Sequence, residues 1–231
     1  MEFRVAGNEL HLSGRVAGDE LAKFKDVMLE HGGAIDTVVF RNSPGGDAFA
    51  AYRVGERIRD AGWRTVVVGA CRSACTIMFL GGRSRHFARV ARPELVYLGF
   101  HGTWSTGFLE SNSPGFRGRP ELRGWIIERT GGKVDARLLE RFMQNEIRTA
   151  LLVAYDPQQF GRDDGVSMFF CEGGEAKGAK PFDACEKIVG HDAFSMGFVT
   201  SAERVPVTPA AKLPAPFQPK PAPFQWPGDR P

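Results

Sequence analysis

The sequence predicts an α/β fold: a mostly parallel β-sheet with helices packed on its faces. Three observations predict it. Short apolar runs rich in β-branched or aromatic residues, DTVVF, RTVVVGA and ELVYLGFH, recur along the first half of the chain. Segments with apolar residues near a 3.6-residue period separate them. The connections are short and glycine-rich, so the order is β-α-β-α-β. Parallel strands need such crossovers to bring the chain back to the same end of the sheet.

Each element has a local reason. FRVA and ELHLSG are apolar runs separated by Gly7-Asn8, a dipeptide suited to a tight turn between strands. In DELAKFKDVMLEHGG, residues Leu21, Phe24, Val27, Met28 and Leu29 lie near a helical period, and Gly32-Gly33 ends the helix. DTVVF is a buried strand and NSPGG a turn. DAFAAYRVGERIRDAG sets Ala50, Val54 and Ile58 on one apolar face, with Ala51 beside them. RTVVVGA is a second buried strand, CRSACTIMFLGG turns helical after Ser73, and ELVYLGFH is a third strand.

Beyond His101 the regularity breaks. TWSTGFLESNSPGFRGRP reads as a loop rich in Gly, Ser and Pro. ELRGWIIERTGG and VDARLLERFMQNEIRTALLVAY are helical by period. The stretch from Asp156 to Lys180 is loop-like around one apolar patch, VSMFF. HDAFSMGFVTSAERV then forms a helix turn and a closing strand. From Val205 onward prolines recur every few residues, and PAPFQ occurs twice, at Pro214–Gln218 and Pro221–Gln225. Such a tail is extended or disordered. It is either a tether without a role of its own or a docking strip anchored by Phe217, Phe224 and Trp226. The chain thus divides into a domain over 1–204, with an insertion around 104–190, and a Pro-rich tail over 205–231.

At 231 residues, 42% of them hydrophobic, the chain can bury one sizeable core. A net charge of +3 with acids and bases interspersed gives no case for nucleic acid or an anionic membrane as partner. Arg83, Arg85, Arg89 and Arg92 read as a solvated face. No apolar run approaches the ~18–20 residues that span a bilayer. MEFRVAGNELHL lacks a basic stretch leading into an apolar one, so no signal peptide is expected. The four cysteines form two close pairs in sequence, Cys71 with Cys75 and Cys171 with Cys185. Three pairings are open. Local disulfides would fit a periplasmic or secreted protein whose leader has been removed; four reduced thiols would fit the cytoplasm. The absence of CxxC spacing and of a histidine cluster argues against a metal site.

Three features carry chemistry. In RNSPGGDAF, two glycines end a strand and open a helix, a geometry that can aim backbone N–H groups at a bound oxygen. No GxxxxGK[ST] or GxGxxG accompanies them, so phosphate binding is not expected. In GACRSACTIMFL, Ser73 sits among small residues where a strand gives way to a helix. That place suits an exposed nucleophile and equally an N-cap serine. His101 ends a strand on the side of an α/β sheet where active sites gather, and its pKa suits general-base work. His11, His31, His86 and His191 have weaker contexts. Because the three features end successive strands, they should meet at one edge of the sheet. A serine, a histidine and two backbone donors form a minimal set for acyl transfer.

The run from Glu9 to Thr103 resembles ClpP and its crotonase-like superfamily. The residues that carry the resemblance are ELHLSGRV, then NSPGGDAF, CRSACTIMFLGG and a strand ending in FH; HDAFSMGFVTS resembles the closing segment. The resemblance implies a ClpP/crotonase-like fold with ββα-type repeats and flanking helices. It implies Ser73 as nucleophile, His101 as base, and the N–H groups of Gly46 and Ala74 as oxyanion donors. Asp183 is the candidate third member, with Asp163 and Asp164 in reserve and Asp192 nearby; a Ser-His dyad is the alternative. The Cys71/Cys75 pair around Ser73 is closer to an extracytoplasmic bacterial branch of ClpP-like proteins, and a bridge there would join near neighbours in strained geometry. The implied partner is a peptide or protein laid extended beside the sheet, with no metal or organic cofactor. Homo-oligomerisation is a family trait, although the stretch after His101 replaces the family's interface helix. The leading function is a serine endopeptidase. A catalytically weak or inactive binding module and a crotonase-type acyl-CoA enzyme are the alternatives.

Overall fold

The computed structural model describes residues 1–92, 95–102, 119–144, 149–158, 160, 164–172 and 185–218. Gly7, at φ 61°, turns β1 (Glu2–Ala6) into β2 (Glu9–Ser13), and the two pair antiparallel. β2 then pairs parallel with β3 (Thr37–Arg41), β3 with β4 (Arg64–Val67), and β4 with β6 (Arg85–Phe87). α1 (Glu20–His31) and α2 (Ala48–Asp60) make the crossovers between β2, β3 and β4. α1 buries Phe24 and Val27, but Leu29 is 86% exposed. Five residues at 100° each carry it about 140° around the helix from Phe24. α2 buries Ala50, Ala51, Val54 and Ile58 as its period requires, and the Asp47 side chain caps it by accepting from the Ala50 N–H at 2.8 Å.

The expectation of one mostly parallel sheet holds only for this first half. A second sheet runs in the order β10-β9-β8-β7-β5. Its β5 (Ala70–Arg72) and β7 (Tyr97–Phe100) are parallel, whereas β8 (Leu151–Tyr155), β9 (Met168–Cys171) and β10 (Glu186–Lys187) are joined antiparallel. The protein is therefore a mixed α/β structure with two mixed sheets. The predicted helix over VDARLLERFMQNEIRTALLVAY is in fact α5 (Ala136–Gln144) followed by the strand β8. All of β8 is buried, and a fully apolar run carries no period to separate strand from helix. VSMFF contributes β9, not a loop. The closing helix turn is a series of turns over 193–197, and the closing strand is reduced to one bridge, Val205 with Ala88.

α3 (Ala74–Phe79) packs on α2 through Gly55, where an added Cβ would meet the Ile77 carbonyl at 3.0 Å and Trp125 at 3.2 Å. Trp125, on α4 (Arg119–Arg129), donates its indole N–H to that same carbonyl at 3.0 Å. The guanidiniums of Arg59 and Arg129 lie over its ring at 5.4 and 5.6 Å. Tail residues 205–218 lie against the body. Thr208 N–H donates to Glu9 at 2.9 Å, Arg41 donates to the Thr208 carbonyl, and Phe217 N–H donates to the Phe3 carbonyl at 2.6 Å. The stretch is thus neither wholly free nor devoid of regular structure, since Ala210–Lys212 form a 3-10 turn. Phe224 and Trp226 lie outside the described residues.

Arg83, Arg89 and Arg92 are exposed as expected, but Arg85 is buried. Its guanidinium donates to the carbonyls of Gly82 (3.1 Å), Arg129 (2.7 Å), Gly197 (2.9 Å) and Phe198 (2.9 Å). Burial and the neighbouring Arg129 push its pKa down to about 10, so it remains charged at neutral pH. Arg85→Met should lower unfolding free energy by about 3 kcal/mol or more, because buried carbonyls lose their donor. Arg85→Lys should recover only part, since an ammonium cannot reproduce the planar fork. Urea denaturation monitored by circular dichroism checks both, and unchanged midpoints would contradict the role.

Candidate active site

The candidate site draws on three segments that follow strands, two of them chain reversals. The first is Ser43–Gly46. Ser43 is buried and bridges Cys71 in parallel, exchanging hydrogen bonds with the Ala70 carbonyl (2.8 Å) and the Arg72 N–H (3.0 Å). On its other side Gly46 bridges Val16. The Gly45 carbonyl accepts from Val16 N–H at 2.9 Å, and Asp47 N–H donates to the Val16 carbonyl at 3.1 Å. In a planar trans peptide the C=O and N–H point opposite ways, so the Gly46 N–H is aimed away from Val16. Both glycines have positive φ, 86° and 141°, and a Cβ on Gly46 would fall 2.0 Å from the Val16 carbonyl. Only glycine fits at either position.

The second reversal is Ser73, between β5 and α3. Its φ of 53° and ψ of −125° are rare for a residue with a side chain. The surroundings hold it there. Its N–H donates to the Gly99 carbonyl on β7 at 2.8 Å, and its carbonyl accepts from both the Thr76 N–H (2.8 Å) and the Thr76 hydroxyl (2.7 Å). A backbone tied at both ends can keep an otherwise costly conformation. The Ser73 hydroxyl makes no capping bond to α3, so the simple N-cap role does not apply. Ala74 follows at the first position of α3, where a helix supplies its N–H with no acceptor. A Cβ on Gly45 would lie 2.6 Å from Ser73 Cβ and 2.9 Å from Ala74 N, so the bare Cα keeps the space before that amide open.

The third is His101, directly after β7. The register pairs Arg72 with Gly99, so Ser73 and His101 leave the ends of adjacent parallel strands. His101 is partly buried, and burial lowers its pKa from the ordinary histidine value, offset in part by the Gly102 carbonyl. Nδ1 bonds to that carbonyl. A ring nitrogen facing a carbonyl oxygen must carry the hydrogen, so in the neutral ring the lone pair resides on Nε2. Gly102 is itself held by its N–H on the Phe142 carbonyl at 2.7 Å, and a Cβ there would strike the Met143 carbonyl at 2.3 Å. Phe198 of the closing segment stacks on Phe100 at 4.1 Å, just behind the histidine.

Asp183 and Asp163 lie outside the described residues. Asp164 pairs with Lys187 at 2.7 Å and accepts from Val166 N–H. Asp192 caps the closing turns, accepting from the N–H groups of Phe194 and Ser195 at 2.8 and 2.7 Å. The cysteines pair locally. Cys71 and Cys75 span the Ser73 turn with Cα atoms 5.3 Å apart, and Cys171 and Cys185 join β9 to the start of β10 at 4.6 Å. Cys71 is on β5, not on the helix, and the reversal at Ser73 brings Cys75 within the usual disulfide Cα span. No group of metal-ligating side chains occurs among the described residues. Sequence reasoning missed Thr76 and Gly102, and read Gly45 only as one of the two glycines of the SPGG turn, not as the neighbour that Ser73 packs against.

Gly45→Ala should disturb the Ser73 turn and cost about 1–3 kcal/mol from the disfavoured φ alone, whereas Gly7→Ala meets open space and has only its φ to lose. Thermal unfolding of the two variants side by side tests the difference. Thiol titration of the denatured, unreduced protein should find no free thiol, against four after reduction.

No protein-family model matches the chain, and no curated protein matches it. Among solved structures, it is similar to a serine-to-alanine mutant of the 1510-N membrane-bound stomatin-specific protease. The identity is 15%, the TM-score 0.39, and the match covers 60% of this chain and 71% of that one.

Proposed function

We propose that the protein is a serine hydrolase of the ClpP/crotonase type that cleaves peptide bonds. The observation that carries the proposal is Ser73. It holds a positive-φ turn between a strand and a helix, tied at its N–H and its carbonyl, with its hydroxyl unused as a helix cap. Such a turn lifts a hydroxyl clear of the sheet, as nucleophile elbows do.

In this mechanism His101 Nε2 takes the Ser73 hydroxyl proton as Oγ attacks the scissile carbonyl carbon. The carbonyl oxygen becomes an oxyanion and accepts from the Gly46 and Ala74 N–H groups. Collapse breaks the C–N bond, and His101 gives its proton to the leaving amine. Water then attacks the acyl-serine with His101 again as base, releasing the acid and restoring Ser73. The Gly102 carbonyl keeps His101 in the Nδ1–H tautomer throughout, the task an aspartate performs in a full triad. Asp183 remains the family-derived candidate for a charged third member. The substrate is a peptide laid extended beside the sheet, with its backbone paired as an added strand. Two local disulfides fit an oxidising compartment, and no helix among the described residues is long and apolar enough to cross a membrane.

A fluorophosphonate probe should label the native protein on Ser73. Ser73→Ala should abolish labelling, and His101→Ala should slow it by at least about a hundredfold. A folded native protein that resists the probe would favour the binding module, and calorimetric binding of an acyl-CoA thioester would favour the crotonase-type enzyme. Because burial lowers the His101 pKa, the neutral base persists as pH falls below the ordinary histidine value. The midpoint of the labelling-rate profile should therefore lie below the ordinary histidine value of about 6.5; a midpoint above it would contradict the assignment.

A further inference from the structure

Between α1 and α2 runs an open groove of about 540 Å³. Phe24, Met28, Leu29 and Ala61 form its apolar surface, and Lys25, Arg57 and Asp60 stand at its rim, with Asp60 3.7 Å from Arg57. Leu29 is one of few large hydrophobic side chains that the described residues leave exposed, at 86%. A lone exposed leucine means little, but one that continues a groove floored by phenylalanine and methionine marks a surface built to be covered.

The chain supplies an occupant. Its first PAPFQ repeat already binds this side of the body. Arg4 donates to the Pro214 carbonyl at 2.6 Å, Phe217 N–H donates to the Phe3 carbonyl, and the Phe217 ring meets His31 edge-on at 6.2 Å. His31 is the last residue of α1, the helix that forms one wall of the groove. Residues 219–231 continue from that point and contain the second PAPFQ, followed at once by Trp226. Phe224 and Trp226 come seven and nine residues after Phe217. At about 3.1 Å per residue in the extended conformation that prolines favour, they reach about 20–28 Å from it. α1, at 12 residues, is about 18 Å long, so the whole groove lies within that reach.

We infer that the α1–α2 groove is a docking surface for the second proline-rich repeat of the same chain, with Phe224 and Trp226 as its anchors. The aromatic rings cover Phe24, Met28 and Leu29, and the Arg57 and Lys25 cations sit against their faces. Proline-rich peptides suit such a task, because they bind in a conformation they already hold. Tethering at Phe217 gives the repeat a high effective concentration at the groove, which favours its own chain over a second copy.

The test uses the full chain with the photoreactive residue p-benzoylphenylalanine in place of Leu29, an exposed position that does not endanger folding. Irradiation followed by mass mapping should find a cross-link within one molecule to residues 221–228. Phe224→Ala with Trp226→Ala should cut its yield at least tenfold. A dimeric product would assign the groove to a second copy and overturn the proposal. So would a link to another part of the chain, a yield unchanged by the double substitution, or the absence of any cross-link.

Discussion

A positive charge buried among carbonyl oxygens holds this fold together. Arg85 faces the ends of three separate segments: the turn after α3 at Gly82, the end of α4 at Arg129, and the closing segment at Gly197 and Phe198. Carbonyls at such chain ends have no acceptor-matched donor from regular structure, and their dipoles favour a cation. The neighbouring Arg129 adds to the same cluster, donating to the Leu80 and Gly82 carbonyls at 3.0 and 3.2 Å. Two guanidiniums so close repel each other, and the pKa of each is lowered, chiefly by burial. The arrangement survives because each charge is met by several oxygens. Phe198, fixed by Arg85, stacks behind Phe100, and His101 follows Phe100 in the chain.

The candidate site draws on a different constraint, the crowding of backbone against backbone. Gly45 touches the Ser73 turn, Gly46 touches Val16, and Gly102 touches Met143, each at distances that exclude a side chain. Such contacts leave little room for adjustment; in the proposed mechanism the amides and the serine are then in place before substrate arrives, and preorganised donors are effective because they need no reorientation as charge develops. The Cys71–Cys75 bridge closes the same turn covalently, and both residues are fully buried.

The first half of the fold was legible because its periods are clean. The β-branched runs of β3 and β4 and the i, i+4 face of α2 can be read directly. β5 and β6, at three residues each, are too short to carry a pattern. β8 and β9 are buried along their whole length, which erases the alternation that marks a strand. Arg85 was unreadable for a related reason: an arginine signals solvent unless its acceptors are known, and these come from residues up to 113 positions away. In the site, Ser73, Gly46 and His101 stood out because each ends a predicted strand. Thr76 and Gly102 did not, since their part is to hold a neighbour's backbone.

The tail's path along β1 has a consequence for how the molecule behaves in a crowded solution. β1 is the outermost strand of its sheet, and an open strand of that kind offers unpaired amides and carbonyls to any other chain. Here Phe217 occupies the Phe3 carbonyl, and Arg4 reaches out to Pro214. The covering segment is interrupted by Pro214 and Pro216, which have no N–H to pass the ladder outward. That edge of the sheet therefore meets a segment whose prolines have no N–H to carry a ladder outward, the device by which edge strands are kept from pairing further.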